Sequence, residues 1–208
     1  MRLIAYLAVL LIWSTTPLGI VWSSESINPT MAVLLRMVIA VILGAVIIYI
    51  RKIELPWHKE ALKLYTFSAL GIFGGMTFSY LAAATLPSGV LSLVFGLAPV
   101  LSAIMARRIL SEPSISFLRK LSMLVSFSGL ALVCADNISL NGESLYGLIF
   151  VLIAVFLFSL SSVLVKSVPL VIHPMATTVG ALTVSLPLFI LNWLLFDGSL
   201  DTNQWQIR

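Results

Sequence analysis

One short run of residues inside the first long apolar stretch has the chemistry to contact a polar solute. Trp13, Ser14 and Thr16 supply an aromatic ring and two hydroxyl groups, and Pro17 follows directly. Proline has no N–H, so Pro17 leaves the carbonyl of Trp13 without its helical partner and predicts a bend. Hydroxyls and freed carbonyls of this kind can contact a polar organic substrate. The alternative is ordinary hydrogen bonding between packed helices.

Four further residues are candidates for the path of such a solute. Pro99 frees a backbone carbonyl in the same way, so the two prolines predict paired bends in two helices. Ser159 follows an aromatic residue, as Ser14 does. Ser79 and Tyr80 lie near the end of the third apolar stretch and are expected to line an outer cavity. For these two residues the alternative is an aromatic belt at the membrane interface.

Arg36 is the one charge placed deep within an apolar stretch. A charge in lipid must reach the interface, pair with another charge, or face water. Arg36 therefore either attracts anionic groups beside the substrate path or serves the structure, for example by pairing with Glu25. No Asp, Glu or Lys lies in the middle of any apolar stretch. This pattern argues against a proton relay that depends on an intramembrane carboxylate.

The sequence offers little material for metal binding or for catalysis. Cys134 is the single cysteine, and neither His58 nor His173 has a second ligand nearby. An intramembrane serine protease would need a Gly-x-Ser-Gly nucleophile, and 126–129 lacks its first glycine. A retinal protein needs a lysine in its last helix, and 174–196 has none. We therefore expect no enzyme activity, no metal and no cofactor.

The overall composition places these residues in a membrane. The chain has 208 residues, of which 60% are hydrophobic and 10% charged, and its mean hydropathy is +1.11. Soluble domains carry about 25% charged residues. The composition therefore excludes a soluble domain, a disordered chain, a secreted disulfide scaffold and a nucleic-acid-binding protein. It predicts an all-α polytopic membrane protein.

Seven stretches reach the length of about 20 apolar residues that a helix needs to cross the hydrocarbon core. They predict a bundle of seven transmembrane helices at 3–22, 30–50, 64–84, 88–106, 114–135, 144–165 and 174–196.

The distribution of charge predicts the orientation of the bundle. With the N-terminus in the cytoplasm, ten of the twelve basic residues lie on the inner side: Arg2, Arg51, Lys52, Lys59, Lys63, Arg107, Arg108, Arg119, Lys120 and Lys166. The outer loops carry acids: Glu25, Asp136, Glu143, Asp197 and Asp201. This asymmetry predicts a multi-pass protein of the plasma membrane, of the bacterial inner-membrane type, with residue 208 on the outer side.

A weak internal repeat connects the two ends of the sequence. At a constant offset of 145 residues, Ile12–Ser14 aligns with Leu157–Ser159, and Asn28–Pro29 aligns with His173–Pro174. Five helices would then form one unit and two helices would begin a second. Because five is odd, the second unit would be inverted in the membrane. The interpretation is a truncated part of a longer chain, and the alternative is a complete seven-helix protein.

The same residues carry a resemblance to a known family. The stretches concerned are Leu11–Ser14, Pro29 with Leu35–Arg36, Tyr80–Ala84, Leu86–Gly89, Ala98–Leu101, Leu110–Glu112 and Gly129. They resemble the drug/metabolite transporter superfamily, of the EamA-domain type. Ser14 departs from that pattern, because the family more often has glycine after the tryptophan.

The resemblance implies a ten-helix fold built from two inverted five-helix repeats around a central cavity. Residues 3–135 would be the first EamA-like repeat and 144–208 an incomplete second one. The implied function is transport of small organic solutes by alternating access, as an exporter or permease. The implied partners are a small-molecule substrate and the lipid bilayer, with a second copy or a complementing chain to complete the cavity. The alternative is a seven-helix protein that transports nothing, either a sensor or a degenerate fragment.

Overall fold

The computed structural model describes residues 2–113, 116–134 and 142–196, and all the regular secondary structure in these ranges is helical. The helices there are α1 (Arg2–Ser26), α2 (Pro29–Arg51), α3 (Lys59–Ala83), α4 (Ser88–Phe95), α5 (Ala98–Ile109), α6 (Phe117–Cys134), α7 (Gly142–Lys166) and α8 (Pro174–Phe196). The prediction of an all-α fold is confirmed.

Within the described residues, six stretches are long and apolar enough to cross a membrane: Tyr6–Ser24, Pro29–Arg51, Lys59–Ala83, Ser88–Ile109, Ser144–Lys166 and Pro174–Phe196. Each coincides with a predicted span, so the chain is a multi-pass membrane protein. The remaining predicted span, 114–135, coincides with α6, and residues 114, 115 and 135 lie outside the described part.

The fourth span is predicted over 88–106 with a bend at Pro99, and the structure shows where the helix is interrupted. It is divided into α4 and α5, with Gly96 and Leu97 between them. The N–H of Gly96 is shared between the carbonyls of Ser92 at 3.1 Å and Leu93 at 3.0 Å, and the N–H of Leu97 donates to Val94 at 3.0 Å, so the backbone tightens here into a 3₁₀ turn. Pro99 lies in the first turn of α5, where its missing N–H costs nothing. We call Gly96–Leu97 the helix break.

Contacts along α3 fix the directions of its neighbours. Gly180 of α8 lies against the ring of Tyr65, and Phe189 packs edge-to-face on Phe73 at 5.0 Å between ring centroids. Residue numbers rise together in the two helices, so α3 and α8 are parallel.

The pairing of α3 with α7 runs the opposite way. The hydroxyl of Ser161 donates to the carbonyl of Phe67 at 2.7 Å, whereas Phe150 packs near Phe78 at 6.0 Å. These two helices are therefore antiparallel.

Glycines make the contact between α3 and α7 close. A Cβ on Gly71 would lie 2.5 Å from Ser161 Oγ, and one on Gly74 would lie 2.5 Å from a methyl carbon of Leu157. Without side chains at these positions the two backbones can approach closely, which is how helices associate in lipid.

The direction of α5 relative to α7 determines the path of the chain between these two helices. Three contacts pair α5 and the residues after it with α7 in rising order: Ala98 with Ser159, Ser102 with Ser162, and Glu112 with Lys166. The two helices are therefore parallel, and the chain between them must return along the bundle. Helix α6 has 18 residues, a length of roughly 27 Å at 1.5 Å per residue, which suits it to this return.

We predict that Gly180→Ala lowers the free energy of unfolding by about 1–3 kcal/mol, because overpacking forces a buried ring to move. A Cβ there would lie 2.5 Å from the ring of Tyr65, which is fully buried and whose hydroxyl donates to Pro56. Thermal unfolding in detergent measures the effect. Gly19→Ala is the control, since a Cβ on Gly19 meets nothing within 4 Å. Equal stability of the two variants would contradict the packing described.

Candidate functional site

The candidate site is built where α7 contacts the helix break. Ser159 is fully buried, and its hydroxyl donates to the carbonyl of Ala98, the first residue of α5, at 3.2 Å. One turn further, the hydroxyls of Ser162 and Ser102 lie 3.3 Å apart. Ser162 also donates to the carbonyl of Ser159 at 2.7 Å. Hydroxyl groups of α7 thus hold the start of α5 in place.

Three aromatic rings lie beside this contact and connect three helices. The ring centroids of Trp13 and Phe158 are 5.9 Å apart, and those of Phe95 and Phe158 are 6.1 Å apart, both pairs in edge-to-face geometry. Phe95 is the last residue of α4, so the cluster adjoins the helix break. Each such pair contributes about 0.5–1.5 kcal/mol beyond the burial of area.

The hydroxyl groups of Ser14 and Thr16 in α1 bond to carbonyls of the same helix. Ser14 donates to the carbonyl of Leu11 at 3.1 Å, and Thr16 donates to Ile12 at 2.5 Å. These bonds are therefore within the helix, not between helices. Helix α1 continues through Pro17, in contrast to the break before Pro99.

Trp13 is 58% exposed, although one edge of its ring meets Phe158. Among the predicted path residues, the structure brings Trp13, Pro99 and Ser159 together around the helix break.

Ser79 and Tyr80 are buried residues of the α3 interior. Each is 2% exposed. Ser79 donates to the carbonyl of Gly75 at 2.6 Å, and the hydroxyl of Ser23 in α1 donates to the Tyr80 oxygen at 3.2 Å. An interfacial belt would leave the Tyr80 ring accessible, so its burial does not fit that alternative. Tyr80 instead joins the ends of α1 and α3.

Arg36 is half-buried in α2, between the buried residues Leu34 and Met37. No hydrogen-bond or ion-pair partner of Arg36 lies among the described residues. The side chain of Glu25, its predicted partner, lies outside them.

A single ion pair occurs in the part of the chain that the structure describes. Lys166, the last residue of α7, pairs with Glu112 after the end of α5. Lys166 follows Ser159 by seven residues, which places it on the same face of α7. The pair therefore extends the α5–α7 contact to the ends of both helices. Within the same described ranges, no three His, Cys, Asp or Glu side chains come together as a metal site.

Comparison with known proteins bears on this arrangement. Residues 2–135 match the model of the EamA-like transporter family. The chain belongs to this family. The family falls within the drug/metabolite transporter superfamily, as the resemblance implied, and the matched region covers α1 to α6. Among curated proteins, none matches the chain.

The EamA-like chain also contains buried polar atoms that the sequence reasoning missed. Within the described residues, the buried side-chain atoms without a hydrogen-bond partner are Thr77 Oγ1, Asn192 Nδ2 and Trp193 Nε1. Thr77 follows Phe73 by one turn of α3, and the other two follow Phe189 by one turn of α8. Because those helices are parallel and the two phenylalanines are in contact, all three atoms lie in one layer. We call it the polar layer.

One of the three residues of the polar layer could have been recognised from the sequence. Asn192 is an amide within a 23-residue apolar helix, and such residues in membranes are costly and often functional. Thr77 gave no such signal, because threonine normally bonds to its own helix.

We predict that Thr77→Val raises the free energy of unfolding by about 1 kcal/mol, because it removes a buried hydroxyl that has no partner. Chemical unfolding in mixed micelles measures the change. Thr66→Val is the control, since Thr66 is exposed and donates to the carbonyl of Leu62 at 2.8 Å. A loss of stability in Thr77→Val would mean that the hydroxyl has a partner in the folded protein.

Proposed function

We propose that this chain carries small organic solutes across the membrane by alternating access, as an exporter or permease. The observation that supports this most is the helix break. Irregular backbone at membrane depth is tolerated only where protein buries it or where it lines a cavity, and interrupted helices form moving and binding parts of many transporters. The break divides a 22-residue span after its first eight residues.

The contacts at the break suit repeated movement. The hydroxyl of Ser159 holds Ala98 by a bond that contributes only about 1 kcal/mol, and the facing hydroxyls of Ser102 and Ser162 can exchange partners. Helix α5 can therefore change its angle to α4 at the cost of weak neutral contacts and one accessible ion pair, that of Lys166 with Glu112. The aromatic rings of Trp13, Phe95 and Phe158 would then face the solute.

The proposed path takes its polar surface from residues near this junction. Trp13, with Ser14, Thr16 and Pro17 on α1, would line one side, and Pro99 and Ser159 would line the other. Arg36 would belong to the outer part of the path, and the buried residues Ser79 and Tyr80 would support that part from within the bundle.

An inverted repeat is the architecture that we propose for this movement. Helices α2 and α8 each have 23 residues and begin with proline. Asn28 Oδ1 accepts the N–H of Thr30 at 3.1 Å, and His173 Nδ1 accepts the N–H of Met175 at 3.2 Å. These are the positions that the offset of 145 residues pairs. A short connection joins α2 to α3, and α8 is parallel to α3, so α2 and α8 run in opposite directions.

The aligned aromatic residues of the two units support the same proposal. Trp13 and Phe158 occupy equivalent positions and contact each other. Equivalent residues meet where a two-fold axis passes between them. We therefore propose 3–135 as the first unit and 144–208 as part of the second.

The positive ends of the helices support the proposed orientation. The helix directions bring the end of α2, the start of α3 and the ends of α5 and α7 to one side of the bundle. The basic residues on that side are Arg51, Lys52, Lys59, Lys63, Arg107, Arg108 and Lys166. We propose that this side faces the cytoplasm of a bacterial-type inner membrane.

The test measures transport without assuming a solute. Purified protein in liposomes is incubated with a metabolite extract, and mass spectrometry compares the trapped solutes with those in empty liposomes. We expect at least one organic solute to accumulate. Pro99→Ala restores an N–H for helical bonding and should slow its uptake about tenfold, a barrier change of about 1.4 kcal/mol.

Pro187→Ala is the matched control, because Pro187 lies in the unbroken helix α8. It should leave uptake within about twofold, a change under 0.5 kcal/mol. No accumulation of any solute above that of empty liposomes would contradict the proposed function. Full activity of Pro99→Ala would contradict the role of the break.

A further inference from the structure

A groove with a volume of about 710 Å³ lies outside the α5–α7 junction, between the end of α2, the connection to α3 and one face of α8. Its walls are largely apolar, and Ile48, Trp57 and Val179 are among them. Lys52 is the charged residue among the described residues that line it. The groove therefore combines a long apolar surface with one cationic group.

The groove lies at the boundary between hydrocarbon and water. The second span ends at Arg51, immediately before Lys52. Two aromatic residues of the lining are accessible there: Tyr49 is 85% exposed and Trp57 is 49% exposed. Tyrosine and tryptophan occupy this level because their rings are apolar and their polar groups reach the headgroups.

The wall of the groove is held in place from the protein side. The ring of Trp57 packs edge-to-face on Tyr65 at 5.6 Å, and the Tyr65 hydroxyl donates to the carbonyl of Pro56 at 3.0 Å. The connection between α2 and α3 is thereby fixed to the buried part of α3. The shape of the groove is therefore fixed by packing within the folded protein.

The backbone at Lys52 has the left-handed conformation, with φ 51° and ψ 42°. Its N–H donates to the carbonyl of Tyr49 at 3.3 Å and closes α2. Glycine is the residue that fits this position best, because a Cβ is disfavoured there. Lys52 occupies this position although glycine would fit it better, so its side chain begins at a backbone that is fixed by the end of α2.

We propose that the groove binds an anionic phospholipid. One acyl chain lies along the apolar wall, and the Lys52 ammonium contacts the phosphate of the headgroup. Arg51, Lys59 and Lys63 add positive charge on the same side, against the acids Glu54 and Glu60. Basic pockets between transmembrane helices at a membrane surface bind anionic headgroups in this way.

The bilayer is the source of this ligand. A free phosphate would gain nothing from the apolar walls. A zwitterionic lipid would fill the groove with its acyl chain but would bring no net charge to Lys52.

The experiment compares three probes added to the purified protein in detergent: dioleoylphosphatidylglycerol, dioleoylphosphatidylcholine and glycerol 1-phosphate. Thermal unfolding and native mass spectrometry report stabilisation and retained ligand. We expect phosphatidylglycerol to raise the unfolding temperature and to bind about fivefold more tightly than phosphatidylcholine, a typical factor for one added charge contact. Glycerol 1-phosphate should have no effect.

Two substitutions at Lys52 remove the charge while keeping a residue that tolerates the left-handed backbone: Lys52→Gly and Lys52→Asn. Both should fold at least as stably as the parent and lose the preference for phosphatidylglycerol. Ser111→Gly is the backbone control, since Ser111 has φ 54° beyond the end of α5. Arg108→Asn is the charge control, on the exposed end of the same helix. Both controls should keep the preference.

Three outcomes would overturn the proposal. If Lys52→Asn still preferred phosphatidylglycerol, Lys52 would not be the residue that contacts the headgroup. Equal binding of the two lipids would leave an apolar groove without headgroup recognition. Equal stabilisation by glycerol 1-phosphate would mean a phosphate site that needs no lipid. None of these outcomes depends on whether the protein transports a solute.

Discussion

The buried hydroxyl of Ser159 is the contact on which this arrangement depends. In hydrocarbon no water is present to satisfy a backbone that leaves the helical pattern. Helix α7 is joined to the broken span at this point, because the Ser159 hydroxyl donates to the carbonyl of Ala98 at the start of α5. The neighbouring face of α7 carries Ser161, which bonds to α3. One helix therefore fixes the broken span and the buried α3 at the same time.

The glycines of α3 make that double role possible. Gly71 and Gly74 lack the atoms that would separate the backbones of α3 and α7, so the Ser161 hydroxyl can reach the carbonyl of Phe67. Helix α8 also packs on α3, in the parallel direction. The first helix is more peripheral, and Trp13 joins it to α7 mainly through a ring contact. Family membership and the multi-pass fold support a membrane transporter, and the α4–α5 span is the part that we propose to move.

The sequence predicted the helices better than it predicted their interruption. Helices α2 and α8 begin within one residue of their predictions, because Asn28 and His173 cap chains that continue with proline. The helix break was harder to predict, since a proline alone does not decide between a bend and a break. Pro17 lies inside a continuous helix, whereas Pro99 follows Gly96 and a 3₁₀ turn. The polar layer depends on how α3 and α8, which are far apart in the sequence, are aligned along their contact. No local sequence pattern contains this information.

The most direct test of this account is a reversible cross-link between α5 and α7. Ser102 and Ser162 are replaced by cysteine in a Cys134→Ser background, since their hydroxyls lie 3.3 Å apart. Solute uptake into liposomes is measured before oxidation, after oxidation and after reduction, with the single-cysteine variants as controls. If these helices separate during transport, oxidation stops uptake and reduction restores it. Undiminished uptake by fully cross-linked protein would contradict the account.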